Sequence, residues 1–284
     1  MIIDAHIHLF NERIIANVSA KSAMVAELGL ETEAATRRIG TEALKAAMDR
    51  AGVNLALNLP TAAAGRVSRV NRNVLEQIAR CPFLSTAGTL HPRDGHIDPD
   101  LSALCDAGVR AIKMCSFSQG FALDSSETLD LFNRIAAFNR HSGHRFFVVL
   151  DTFYKAAGYF GTQPQYTTRP EHIGRLVRRY PDVNFVAAHM GGLTAPFETV
   201  VQFIPPADNL YLDTSNAAHT LTTEQFVGLL RRHGPERIIF GTDWPWFDPA
   251  DEIPLIDDRL DRAGFTPAEK ARVFGGNAAD LLGC

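Results

Sequence analysis

Short apolar runs of strand length recur along this chain, with amphipathic segments between them. The runs are IIDAHIH, VNLALNL, LSTAGTLH, VRAIKMC, RFFVVLD, NFVAAHM, NLYLDTS and RIIFGTD. The segments TEALKAAMDRAG, RVNRNVLEQIARC, SETLDLFNRIAAFNRH, RPEHIGRLVRRY and TTEQFVGLLRRHG carry apolar residues at helical spacing. Several of them open on Ser or Thr, which suits N-capping. In AGVNLAL and AGVRAIK a glycine stops the helix just before the chain re-enters the sheet. Such alternation predicts an α/β fold with a parallel sheet. Eight strand-helix units within 284 residues predict a single (β/α)8 TIM barrel, one domain over residues 1–284, rather than an open doubly wound sheet. Two connections are long: NERIIANVSAKSAMVAELGLETEAATRRIG after strand 1, with helical patches, and KAAGYFGTQPQYTTRP after strand 5, a candidate lid.

Composition narrows the function classes. The chain is 46% hydrophobic and 21% charged, as in an ordinary globular protein. Its formal net charge of -4 provides no basic footprint, so nucleic acid is not an expected partner. Clusters such as RVSRVNR read as solvated helix faces. No apolar run approaches the roughly 20 residues of a membrane span, and Asp4 and His6 interrupt the start before a leader could form. The expected setting is cytoplasmic, with no membrane partner. Cys81, Cys105, Cys115 and Cys284 share no ligand-type spacing and read as reduced thiols. No GxGxxG follows the first strand and no GxxxxGK occurs, which counts against dinucleotide and P-loop chemistry.

The informative pattern is where polar residues fall. Strands stay apolar until their last residues, which are then able to bind a metal or a proton: His6 and His8 on strand 1, His91 on strand 3, Lys113 on strand 4, Asp151 on strand 5, His189 on strand 6 and Asp243 on strand 8. In a barrel these ends share one face. Alternation puts His6 and His8 on the same side of their strand, so both rings can face one ion. Imidazole and carboxylate are the donors of a hydrolytic metal site, where an open position lets the ion lower the pKa of water toward about 7.

With these residues in place, the chain resembles the amidohydrolase superfamily, in its amidohydrolase-related branch of compact barrels. DAHIH, GVRAIKM, FVAAHMGG, IIFGTDWPW and the terminal GGNAADLLG carry the resemblance and span the chain. It implies one divalent ion at the barrel mouth, zinc foremost with manganese or iron as alternatives. His6, His8 and Asp243 would be ligands, and Asp243 also the base that takes a proton from the attacking water. His189 would be a further ligand or the group that orients water or polarises substrate. Two-metal members carbamylate a strand-4 lysine; Lys113 reads instead as an ammonium for a substrate carboxylate. The departure is Asp151, standing where members commonly have a histidine ligand. It reads either as a ligand or as a carboxylate supporting His189 or Lys113.

Remaining candidates for substrate contact are His91 and Arg93 in TLHPRDG, Tyr154 in the lid, and Trp244, for which packing under the strand 8 loop is the alternative. The expected activity is metal-dependent hydrolysis of an amide, lactone or ester of a small substrate. Non-oxidative decarboxylation, as in the same branch, is the runner-up, followed by a metal-free lactonase or a non-catalytic binding barrel. Barrels of this kind frequently dimerise, so a homodimer is allowed for.

Overall fold

The computed structural model describes residues 1–284. Nine parallel strands occupy the eight expected positions: β1 (Ile3–Ile7), β2 (Leu55–Asn58), β3 (Leu84–Thr86), β4 (Gly88–Thr89), β5 (Ala111–Met114), β6 (Phe147–Leu150), β7 (Asn184–Ala187), β8 (Leu210–Asp213) and β9 (Ile238–Ile239). They pair in chain order as β1-β2-β3 and β4 to β9. The third expected strand is divided at Ala87, whose N–H reaches back to the Asn58 carbonyl (2.9 Å is typical; here 2.8 Å).

Backbone hydrogen bonds join the first strand to the last. Ala5 N–H donates to Phe240 O (2.9 Å), Asp243 N–H to His6 O (2.9 Å) and His8 N–H to Trp244 O (2.7 Å). The expected strand RIIFGTD keeps a regular ladder only at Ile238–Ile239. Beyond it the Asp4 carboxylate replaces backbone acceptors, taking the Thr242 N–H (3.0 Å) and hydroxyl (2.6 Å). The seam of the barrel is therefore partly held by a buried side chain.

β1 also carries a bulge. Between Asp4 and Ile7 it has one residue more than β2 has between Ala56 and Asn58. Ile3 and Ala5 join the cluster that fills the barrel with Leu57, Phe147, Val149 and Val186. Ile7 instead packs outward against Leu44 and Met48 of the helix Gly40–Ala51. The bulge thus rephases the strand so that His6 and His8 turn inward.

Helices form where the periodicity places them, and local chemistry sets their ends. Ser125 and Thr222 cap the helices Ser126–Ser142 and Thr223–His233 through their side chains. Gly52 closes Gly40–Ala51 in the left-handed conformation. The long segment after β1 folds into three short helices, Glu12–Ser19, Ser22–Leu28 and Thr32–Ala35. Their apolar faces gather over the carboxyl end of the barrel with Phe153, Leu193 and Trp246. No helix is long and apolar enough to cross a membrane.

Candidate active site

His6 lies near the end of β1 and His8 directly follows it, and both meet Asp243, which follows β9. His6 Nε2 and His8 Nε2 lie 3.2 Å apart. Asp243 Oδ1 lies 3.7 Å from the first and 3.4 Å from the second. The hydrogen-bond partners assign the tautomers. His6 Nδ1 faces the Asp213 carboxylate at 2.8 Å and His8 Nδ1 faces the Leu59 carbonyl at 3.2 Å, so both Nδ1 atoms donate. Both Nε2 atoms are then bare lone pairs, turned toward each other and toward a carboxylate oxygen. Three electron-pair donors without a proton between them could hold a cation. A tetrahedral ion with bonds of about 2.1 Å separates its ligand atoms by about 3.4 Å, and the trio fits that spacing.

Strained backbone and a missing side chain hold the trio and the neighbouring His189 in place. Asp243 has φ 65° and His189 φ 54°, left-handed values that cost roughly 1–3 kcal/mol each in a residue other than glycine. Gly241 lets the last strand lie against β1, because a Cβ there would stand 2.7 Å from His6 Cβ. His8 stacks on Phe10 with ring centroids 4.6 Å apart.

Asp213, at the end of β8, was not among the expected site residues, yet it organises the site. Its Oδ2 accepts from His6, while Oδ1 accepts the N–H groups of His189 (2.8 Å) and Ser215 (3.2 Å) and the Ser215 hydroxyl. Its signal in the sequence is an acidic residue closing the otherwise apolar strand LYLD. A second grouping of potential donors, His6, His189 and Asp213, is already occupied by these hydrogen bonds and reads as a support network.

His189 donates Nδ1–H to Ser215 O (2.9 Å) and points Nε2 at Asp151, 3.8 Å away. The close trio of donors comprises His6, His8 and Asp243; Asp151 and His189 stand beside it as an ion pair. Lys113 is 1% exposed, and its ammonium has no hydrogen-bond partner. His8, Lys113, Asp151, His189 and Asp243 line a cavity of about 490 Å³.

The other expected contacts lie outside that cavity's lining. His91 is buried, with Nε2 on Gln119 O (3.0 Å) and Nδ1 accepting the Arg93 N–H (3.1 Å). Arg93 extends to Gly120 O (2.7 Å). Tyr154 is tied through its backbone to Leu193 O (2.9 Å). Trp244 is fully buried in the cluster around Ile7, Leu44 and Met48, while the cavity wall is formed by Trp246. The turn after each strand end, which sequence alternation does not specify, decides these directions.

A family model described as Amidohydrolase matches residues 3–284. The chain belongs to the amidohydrolase family. Comparison with curated proteins finds no match. Among solved structures, an uncharacterised TIM-barrel protein from Bordetella bronchiseptica is similar at 19% identity and TM-score 0.73, covering 99% of this chain and 98% of that one. A dihydroxybenzoic acid decarboxylase from Polaromonas sp. JS666, with bound manganese and the inhibitor 2-nitroresorcinol, is similar at 18% identity and TM-score 0.66, covering 99% and 96%. A probable 2-pyrone-4,6-dicarboxylic acid hydrolase from Acinetobacter baumannii, with citric acid bound, follows at 14% identity and TM-score 0.62, covering 100% and 99%. At these identities the likeness establishes the TIM-barrel fold.

Electrostatics in this amidohydrolase separate the polar groups by role. Burial pushes the His6 imidazole down to about 4, only partly offset by the Asp213 carboxylate, which keeps the ring neutral and its Nε2 free to bind a cation. Burial alone would raise Asp213, but its contact with His6 and the nearby His189 hold it well below the usual carboxylate range. Asp243 is likewise lowered, the surrounding histidines outweighing burial. For His189, burial would lower the pKa, yet the carboxylates of Asp151, Asp243 and Asp213 raise it to about 9. The same pairing, together with the Lys113 charge, brings Asp151 to about 2 against the opposing effect of burial.

Proposed function

We propose that this amidohydrolase is a divalent-metal-dependent hydrolase acting on an amide, lactone or ester of a small carboxylate-bearing substrate. The observation that carries the reading is the convergence of donor atoms from His6, His8 and Asp243 beside a cavity that His8 and Asp243 line. These residues would hold the ion. When bound, it supplies a Lewis acid and a water acidified toward about 7. Zinc suits the nitrogen and oxygen donors, and the manganese in the Polaromonas decarboxylase makes manganese an equal candidate.

The protein's own groups divide the rest of the chemistry. Asp243, ionised and buried, accepts the proton of the attacking water and returns it to the leaving group. His189, fixed by Ser215 O, turns its Nε2 edge into the site and donates to the oxygen on which negative charge develops. Asp151 balances the charges of His189 and Lys113. Lys113 takes the substrate carboxylate in a pocket where its ammonium has no internal partner.

That same ammonium favours a second reading. A carboxylate anchored at Lys113 beside an acid-base pair is also the arrangement for non-oxidative decarboxylation, the activity named for the Polaromonas protein. The test begins with the metal content of protein purified without chelator, alongside a His6→Ala variant. Near-stoichiometric metal that is lost in the variant is expected; wild type that carries none and gains no activity from zinc or manganese overturns both readings. Incubation with lactones, esters and carboxylated aromatics then separates them, and carbon dioxide release without hydrolysis overturns the first.

A further inference from the structure

The cavity is larger and more apolar than its polar floor requires. Of its 26 lining residues 15 are hydrophobic, among them Phe10, Met24, Leu28 and Phe160. These belong to one apolar cluster, built by the short helices after β1 and by the segment after β6. A cavity of about 150 Å³ accommodates benzene, whereas this one measures about 490 Å³. At the floor, Asn216 lines the same cavity, is fully buried, sits at φ 56°, and leaves both its amide nitrogen and oxygen without partners. Two unsatisfied buried polar side chains, Lys113 and Asn216, thus share a cavity with an apolar sleeve. Leaving such groups unpaired is unfavourable, and a bound polar head would supply the missing partners.

We infer that the substrate is amphiphilic: a carboxylate head taken by Lys113 and Asn216, and an apolar body larger than one ring lying in the sleeve of Phe10, Met24, Leu28 and Phe160. This inference rests on the proposed active site for its polar end and extends it to the substrate's other end. The long connection after β1 is then a specificity element, since it supplies most of the sleeve.

Isothermal titration calorimetry of the metal-loaded protein with benzoate, 4-butylbenzoate and 4-butylbenzamide tests it without requiring turnover. Each methylene placed in an apolar sleeve tightens binding by up to about fourfold. The wild type is therefore expected to bind 4-butylbenzoate at least tenfold more tightly than benzoate. Leu28→Trp, which fills the sleeve, removes that gap and leaves benzoate binding in place. Lys113→Met weakens both benzoates by about tenfold or more and leaves the neutral amide unaffected. Asn216→Gly, which keeps the left-handed backbone accessible, weakens all three ligands by about threefold or more. Equal affinity for the two benzoates in the wild type overturns the inference, as does a gap that survives Leu28→Trp. A protein that binds no metal and turns nothing over defeats the proposed function instead, and is recognised by metal content and product analysis.

Discussion

Asp213→Asn is the most informative single change. The substitution preserves volume, so packing is unaltered and the consequence is one of hydrogen bonding alone. Asp213 Oδ1 accepts the N–H groups of His189 and Ser215 at 2.8 and 3.2 Å, and Oδ2 accepts from His6 Nδ1 at 2.8 Å. An asparagine that keeps its oxygen on the two backbone donors must present its NH2 to His6. His6 Nδ1 then faces an N–H donor in place of its carboxylate acceptor, with only the Ser215 hydroxyl, 3.0 Å away, left to hold its hydrogen; the expected outcome is that the hydrogen moves to Nε2 and one of the three lone pairs at the ion's position is lost. The flipped asparagine fares no better, because its NH2 then opposes two N–H donors. Removing a supporting carboxylate of this kind costs 10–100-fold in metal affinity, about 1.4–2.7 kcal/mol. Competition against a chromophoric chelator measures the affinity, and long-range proton-nitrogen NMR of the His6 ring reports the tautomer. Affinity equal to wild type, or a variant ring still protonated at Nδ1, would refute the reasoning.

Other changes probe the remaining supports. In metal-free protein His189 has its pKa raised from 6.5 to about 9, so the folded state holds the extra proton across that window. Its contribution is fully present below pH 6.5 and is lost as pH rises through 9, on the order of 3 kcal/mol. Denaturant midpoints from pH 6.5 to 9 should fall, and Asp151→Asn should flatten the slope; an equally steep slope in the variant would contradict the ion pair. Gly241→Ala puts a Cβ 2.7 Å from His6 Cβ. It should destabilise by roughly 1–3 kcal/mol and impair metal binding, as read by melting and metal analysis. Asp4→Ala strands the Thr242 N–H and hydroxyl at the seam between the first and last strands. A thermal midpoint within a degree of wild type would show that backbone bonds alone close the ring, against an expected loss of roughly 1–3 kcal/mol per stranded donor.

Much of this protein is legible in its residues because the relevant physics is local. Apolar runs separated by capped amphipathic helices specify strand-helix units, and each unit can satisfy its own backbone only by stacking beside the next. Hence the α/β class and the placement of polar groups at strand ends follow from the sequence, and the motifs DAHIH, AHMGG and GTDWP carry the family. His6 and His8 are two residues apart in extended chain, so alternation puts their rings on one side, although the bulge in β1 decides that this side faces the barrel.

What the tertiary structure decided are relations between distant positions. The bond from His6 to Asp213 joins residues 207 apart, and it exists only because strand register and a bulge in β1 turn His6 toward β8. The turns at His91 and Trp244 aim those side chains away from the cavity although both follow strand ends. The sleeve arises from helices whose apolar faces have no specified partner until they lie over the barrel mouth. Periodicity tells a side chain which face of its own element it occupies; packing, register and backbone strain choose what that face meets.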